Sequence, residues 1–145
     1  MKRESGFTLI ELLIVVVILG VLSLISTAIL INALNKAKDS AVKANVSAAS
    51  STMLTAMSVD ELTAQEAINN NLNTLNNPDG IDDNGDEIKS PYDNSIDAFV
   101  EGENADRGQV SLLALSNTEL SIKGYGRSSD SPIAARTISP YSNDE

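Results

Sequence analysis

One stretch constrains this chain more than any other: Gly6 to Ile31, GFTLIELLIVVVILGVLSLISTAILI. From Leu12 to Ile31 no residue is charged and almost all are apolar. A helix of that length, at about 1.5 Å per residue, spans about 30 Å, the thickness of a bilayer's hydrocarbon core. An acid interrupts the start of the stretch: Glu11, between Ile10 and Leu12. An ionisable group there costs about 3 kcal/mol to insert, so it marks a functional position. Lys2 and Arg3 precede the apolar run. The positive-inside rule keeps them in the cytoplasm and places the chain beyond the span on the other side of the cytoplasmic membrane.

Two plain readings compete at this point. An ordinary secretory signal has its apolar region followed by small residues at a cleavage site, and Ser23–Ala28 offers something of that kind. A single-pass anchor explains the length. Neither explains Glu11.

The basic leader, Gly6 and then Phe7-Thr8-Leu9-Ile10-Glu11-Leu12-Leu13 resemble the class III signal of type IV prepilins and type II secretion pseudopilins. The resemblance covers about the first 31 residues. It implies cleavage between Gly6 and Phe7 by a prepilin peptidase, and N-methylation of the new Phe7 amine. Gly6 has no side chain, which lets a peptidase approach the backbone closely. It implies an assembly role for Glu11, whose carboxylate would pair with the Phe7 amine of a neighbouring subunit. In low dielectric an unpaired charge is heavily penalised, so such pairing sets axial register as well as adding attraction. The implied partners are further copies of the chain in a helical homopolymer, the peptidase and an inner-membrane assembly platform. The implied function is a structural subunit of a type IV pilus-like extracellular filament. The alternatives are a pseudopilin of a type II secretion system and a minor pilin acting as an adhesin.

The implied fold is α+β: a long N-terminal helix on a small antiparallel sheet of three to four strands. The expected organisation is a leader over residues 1–6, a membrane or filament-core helix over 7–34, its amphipathic continuation over 35–58, and an acidic globular domain over 59–145. In the family, a glycine at the place of Gly20 often pairs with a proline eight residues later. Here that place is Ala28, which argues against full melting of the segment between, while Gly20 among β-branched neighbours suits a loosened turn. A close helix contact is the other reading of Gly20.

Beyond the apolar run, Asn32 to Met57 contains no Gly and no Pro. Val42, Val46, Ala49, Met53 and Met57 recur on one helical face and suit packing on a sheet. Ala33, Ala37, Ala41, Ala44, Ala48, Ser51 and Thr55 form a nearly opposite small-residue face. It suits either close approach of neighbouring helices or simple solvation. Lys36, Lys38 and Lys43 read as solvated lysines or as contacts to lipid phosphate. Ser58-Val59-Asp60-Glu61 and Thr63-Ala64-Gln65-Glu66 each read as a capping box ahead of a short second helix.

Composition narrows the function. The chain has formal charge −10, and removing residues 1–6 leaves 8 bases against 19 acids, or −11. So acidic a chain argues against nucleic-acid binding through a basic patch. It has no cysteine and no histidine. There is then no disulfide, no thiolate metal site, and neither a cysteine nucleophile nor an imidazole base. The expectation is a protein that is not an enzyme.

Residues 60–106 hold thirteen acids against one base, Lys89. Within them Asp82, Asn84, Asp86 and Asp93 fall at positions 1, 3, 5 and 12 of an EF-hand-like calcium loop. Glu87 stands where that loop requires glycine, and Lys89 where an apolar residue is usual. The other reading is a solvated acidic turn. Strands are expected at Ile96–Glu101, Gln109–Leu115, Glu119–Tyr125 and Ile133–Ile138. Gly102–Gly108 and Ser116–Thr118 read as hairpin turns, giving an antiparallel meander with one face on the long helix.

Overall fold

The computed structural model describes residues 7–79 and 87–140. It divides into two compact units, Met1–Lys36 and Ala37–Glu145. Helix α1 (Leu9–Ser58, 50 residues) runs through both.

In the first unit the large apolar side chains are exposed, from 45% at Val15 to 87% at Leu9. A helix that is apolar on every side needs a lipid or protein surrounding. The hydroxyls of Ser23, Ser26 and Thr27 donate to the carbonyls of Leu19, Leu22 and Ser23 at 2.8, 2.8 and 3.0 Å. Each is thus satisfied inside its own helix, as a low-dielectric setting demands. The helix passes Gly20 unbroken, and a Cβ there would meet nothing within 4 Å. Among the described residues, no close contact requires that glycine.

In the second unit Val42, Val46, Ala49, Met53 and Met57 are all buried, at 0–3% exposure, so the periodic face is the core face. Opposite them lie Phe99, Val110, Leu112, Leu120 and Ile122 of the sheet. Helix α2 (Ala64–Asn76) adds Ala64, Ala67, Ile68 and Leu75. Ala33, Ala37, Ala44, Ala48, Ser51 and Thr55 are exposed.

Of the two capping boxes, the second forms. The Thr63 hydroxyl accepts from the Glu66 N–H, and the Glu66 carboxylate accepts from the Thr63 N–H at 3.0 Å. The expected box at Ser58–Glu61 does not form. That segment instead ends α1: the Val59 N–H donates to Thr55 C=O, the Leu62 N–H reaches back to Ala56 C=O, and Glu61 takes a left-handed φ of 55°. The long helix claims Ser58 first, so the residue cannot also start the next one.

Six strands come next among the described residues. Strands β1 (Lys89–Ser90) and β2 (Asp93–Asp97) form a small antiparallel pair. Strands β3 (Phe99–Glu101), β4 (Val110–Ala114), β5 (Leu120–Tyr125) and β6 (Pro132–Ile138) form the main sheet in chain order. The expected strand at 96–101 is split between the two sheets. Ala98 bridges them, its N–H on Ile88 C=O and its C=O accepting from the Val110 N–H at 2.7 Å.

The sheet departs from an antiparallel meander, because β3 and β4 run parallel, with Phe99 opposite Val110. Residues 102–109 are therefore a return connection and not a hairpin. Gly102 and Gly108 hold φ of 100° and 83° at its ends, a conformation glycine enters without steric cost. Buried Gln109 then locks the connection: its side-chain carbonyl accepts from the Asp106 N–H, and its amide donates to Asp97 C=O, both at 2.8 Å. The turn at Ser116–Thr118 does join antiparallel strands, β4 to β5.

The free side of β3 is held by one side chain at the end of α2. The Asn76 amide donates to Phe99 C=O at 3.0 Å and its carbonyl accepts from the Phe99 N–H at 2.9 Å. Asn76 thus copies the two-bond exchange of an antiparallel partner residue. Asn76→Ala leaves both strand groups unpaired and is expected to cost about 2–3 kcal/mol. Chemical denaturation of the full-length chain in detergent, followed through the sheet signal, measures this; an unchanged midpoint would refute the role.

Candidate assembly site

The first turn of a helix leaves four N–H groups without partners and carries partial positive charge. At the start of α1, Thr8 and Glu11 meet that need together. The Thr8 hydroxyl accepts from the Glu11 N–H at 3.3 Å. The Glu11 Oε2 accepts from the Thr8 N–H at 2.9 Å and from the Thr8 hydroxyl at 2.8 Å. The Thr8 carbonyl accepts from the Leu12 N–H at 3.3 Å. This is a capping box, with Thr8 as cap and Glu11 at the third helical position.

Glu11 is thus held within its own chain, at the head of the apolar helix. Phe7, immediately outside the cap, is 80% exposed. Gly6 lies outside the described residues. Thr8 is a site residue that sequence reasoning misses, although Thr8-Leu9-Ile10-Glu11 already displays the capping pattern.

A second cluster stands where α1 enters the second unit. The Tyr92 hydroxyl donates to Asp39 at 2.7 Å, and the Lys38 ammonium lies 5.2 Å from the centre of the Tyr92 ring. Burial, then the hydrogen bond and charge of Asp39, push the Tyr92 hydroxyl up to about 12, with Arg127 acting the other way. The folded protein therefore holds this proton more tightly than the unfolded chain does. Stability should be full below about pH 10, the unfolded value, and fall as pH rises towards 12. Thermal melts of the full-length chain and of Tyr92→Phe check this, the variant losing less over that interval. Identical slopes would show that Tyr92 does not contribute.

Of the calcium-loop residues, Asp82, Asn84 and Asp86 lie outside the described residues. Asp93 opens β2, where its carboxylate accepts from the Ser95 hydroxyl at 2.6 Å and the Ser95 N–H at 2.9 Å. These bonds, the hydroxyl foremost, hold its carboxyl below the usual range. Among the described residues no three metal-ligating side chains converge. A shallow groove of about 320 Å³ is lined by Ser51, Thr55, Asp60 and Asn71.

Residues 1–27 match the family model of the prokaryotic N-terminal methylation motif. The chain carries the class III prepilin signal. The matched segment includes Gly6, Phe7, Thr8 and Glu11 and ends inside the apolar helix. No curated protein and no solved structure gives a significant match. The prepilin signal and the apolar helix together fit a membrane-anchored precursor.

Proposed function

We propose that this prepilin-type chain is a structural subunit of a type IV pilus-like extracellular filament, cut after Gly6 and assembled through α1. One observation carries the reading: the apolar half of α1 is exposed on all sides and begins at an acid held in a capping box. Lipid surrounds such a helix in the precursor, and like helices surround it in a filament. The cap keeps Glu11 at the terminus, beside the Phe7 nitrogen that cleavage turns into an amine. Oε2 is engaged by Thr8, so the carboxylate is held at the end where a neighbour's amine would arrive.

The exposed small residues of α1 support close helix approach in the same assembly. Processing is tested by mass spectrometry of protein sheared from the producing cells. A mature N-terminus at methylated Phe7 is expected. A mature N-terminus near residue 28 would mean an ordinary signal peptide and would overturn the proposal. Absence of the protein from the sheared fraction, with Phe7 as N-terminus, would favour a pseudopilin.

A further inference from the structure

The main sheet has two outer strands, β3 and β6, and one of these edges is closed: Asn76 occupies the outer side of β3. Among the described residues no strand lies beyond β6. Bonds on the far side of β5 show which way the β6 backbone groups point. The Tyr125 N–H donates to Gln109 C=O and the Leu115 N–H to Glu119 C=O, both at 2.9 Å, so the odd-numbered residues here turn towards β4. Alternate residues of an antiparallel strand turn opposite ways, so Leu120, Ile122 and Gly124 turn towards β6. Their partners there are Ile138, Arg136 and Ala134. Ala135 and Thr137 therefore point their N–H and C=O groups away from the sheet, and both residues are exposed.

An open edge of this kind is a template for another strand. Pro132 and the bulge opposite Gly124 and Tyr125 interrupt only the first residues of β6. Residues 131–140 contain no acid and one base, Arg136, in a chain with 20 acids. The neighbouring β5 contains no acid either. Two copies of the chain can thus meet at this edge without the repulsion that opposes contact between acidic surfaces.

The fold also decides which strand a second copy can offer. Strand β3 is closed by Asn76, and β4 and β5 are paired on both sides. In β2 the Ser95 N–H is taken by the Asp93 carboxylate at 2.9 Å. Strand β1 has two residues, one of them the buried Ser90. Among the described strands β6 alone has a free edge, so its match in a second copy is β6 again. Register follows from side chains. A two-fold axis at Arg136 would set two guanidinium groups directly opposite, which is destabilising. An axis at Thr137 would draw in Ser139 and Pro140, beyond the strand, and proline has no N–H to give. An axis at Ala135 keeps the pairing within residues 133–137. It sets Arg136 opposite Ala134 of the partner subunit, and Thr137 opposite Ile133 of the partner subunit.

We infer that β6 is a self-association surface, which pairs antiparallel with β6 of a second copy about Ala135. The contact is isologous and closes after two copies, so it does not itself lengthen a filament. It goes beyond the proposed assembly through α1 and does not depend on it.

The chain has no cysteine, so Ala135→Cys introduces a single thiol. On the two-fold axis its Cα would stand about 5.5 Å from that of its copy, within disulfide range. Mild oxidation of the full-length variant, in membranes of the producing cells and after purification in detergent, should yield a species of doubled mass. Thr137→Cys should not cross-link, because its copy would lie four residues along the strand, about 13 Å away. Ala135→Pro removes the outward N–H of each copy and leaves the bonds to β5 in place. Sedimentation equilibrium in detergent should then show dimerisation weakened roughly thirtyfold, the effect of two lost interchain hydrogen bonds, with the sheet signal in circular dichroism retained. No doubled species from Ala135→Cys, or cross-linking at Thr137 in its place, would overturn the inference. Dimerisation as strong in Ala135→Pro as in the unaltered chain would assign it to another surface, such as the apolar half of α1, and overturn it too. Cross-linking of Ala135→Cys to a protein of a different mass would give the edge to that partner, with the same result.

Discussion

Glu11→Ala is expected to leave the chain inserted in the membrane and cleaved after Gly6, yet absent from sheared filaments. Insertion survives because the change removes a charge from an otherwise apolar helix. Cleavage survives because the cut lies five residues upstream. Assembly fails on the proposed pairing, because a neighbour's Phe7 amine would enter the helix bundle without its counter-charge, at a cost of several kcal/mol.

The capping box adds a complication and supplies its own control. Alanine also removes the acceptor for the Thr8 N–H and hydroxyl, a loss of about 1 kcal/mol of helix stability. Glu11→Gln separates the effects: its side-chain carbonyl still accepts from Thr8, but it has no charge. If pairing is the role, Gln fails nearly as badly as Ala. If capping is the role, Gln assembles almost normally, and Thr8→Val shows the defect instead. Normal filament yield from Glu11→Ala as the sole subunit would refute both roles.

Gly124→Ala should produce a large loss of stability from the smallest change. The new Cβ would stand 2.6 Å from the Val46 Cγ2 and 2.8 Å from the Val42 Cγ1. Both neighbours are β-branched and buried, so neither swings aside without leaving its preferred rotamer. Overpacking of this kind costs about 1–3 kcal/mol. A domain whose whole stability is about 5–15 kcal/mol feels that strongly. Val46→Ala makes room for the added methyl. The double variant should therefore be more stable than the sum of the single losses allows, which is coupling between touching residues. Denaturant midpoints of the four proteins give the answer. Simple additivity, or a neutral Gly124→Ala, would show that helix and sheet have slack at this point.

Much of this protein is present in its sequence. The length of the apolar run, the acid near its start and the basic leader suffice for a helix long and apolar enough to cross a membrane and for the prepilin signal, because each depends on residue type at a local offset. The buried face of α1 is legible for the same reason: Val42, Val46, Ala49, Met53 and Met57 repeat with the helical period. The pattern that joins Thr8 to Glu11 is equally local, and it stands beside the assembly role that the resemblance implies for Glu11.

What only the tertiary structure decided involves partners distant in the chain. The parallel pairing of β3 with β4 depends on how residues 102–109 bond to Asp97 and Tyr125. No offset within that segment reports those bonds. The choice between two capping boxes depended on where α1 stopped, at Ser58. Asn76 as a substitute strand partner for Phe99 spans 23 positions, and Tyr92 reaches Asp39 across 53. A side chain's local pattern names its own element; which distant backbone group or charge it meets is settled only when the elements pack.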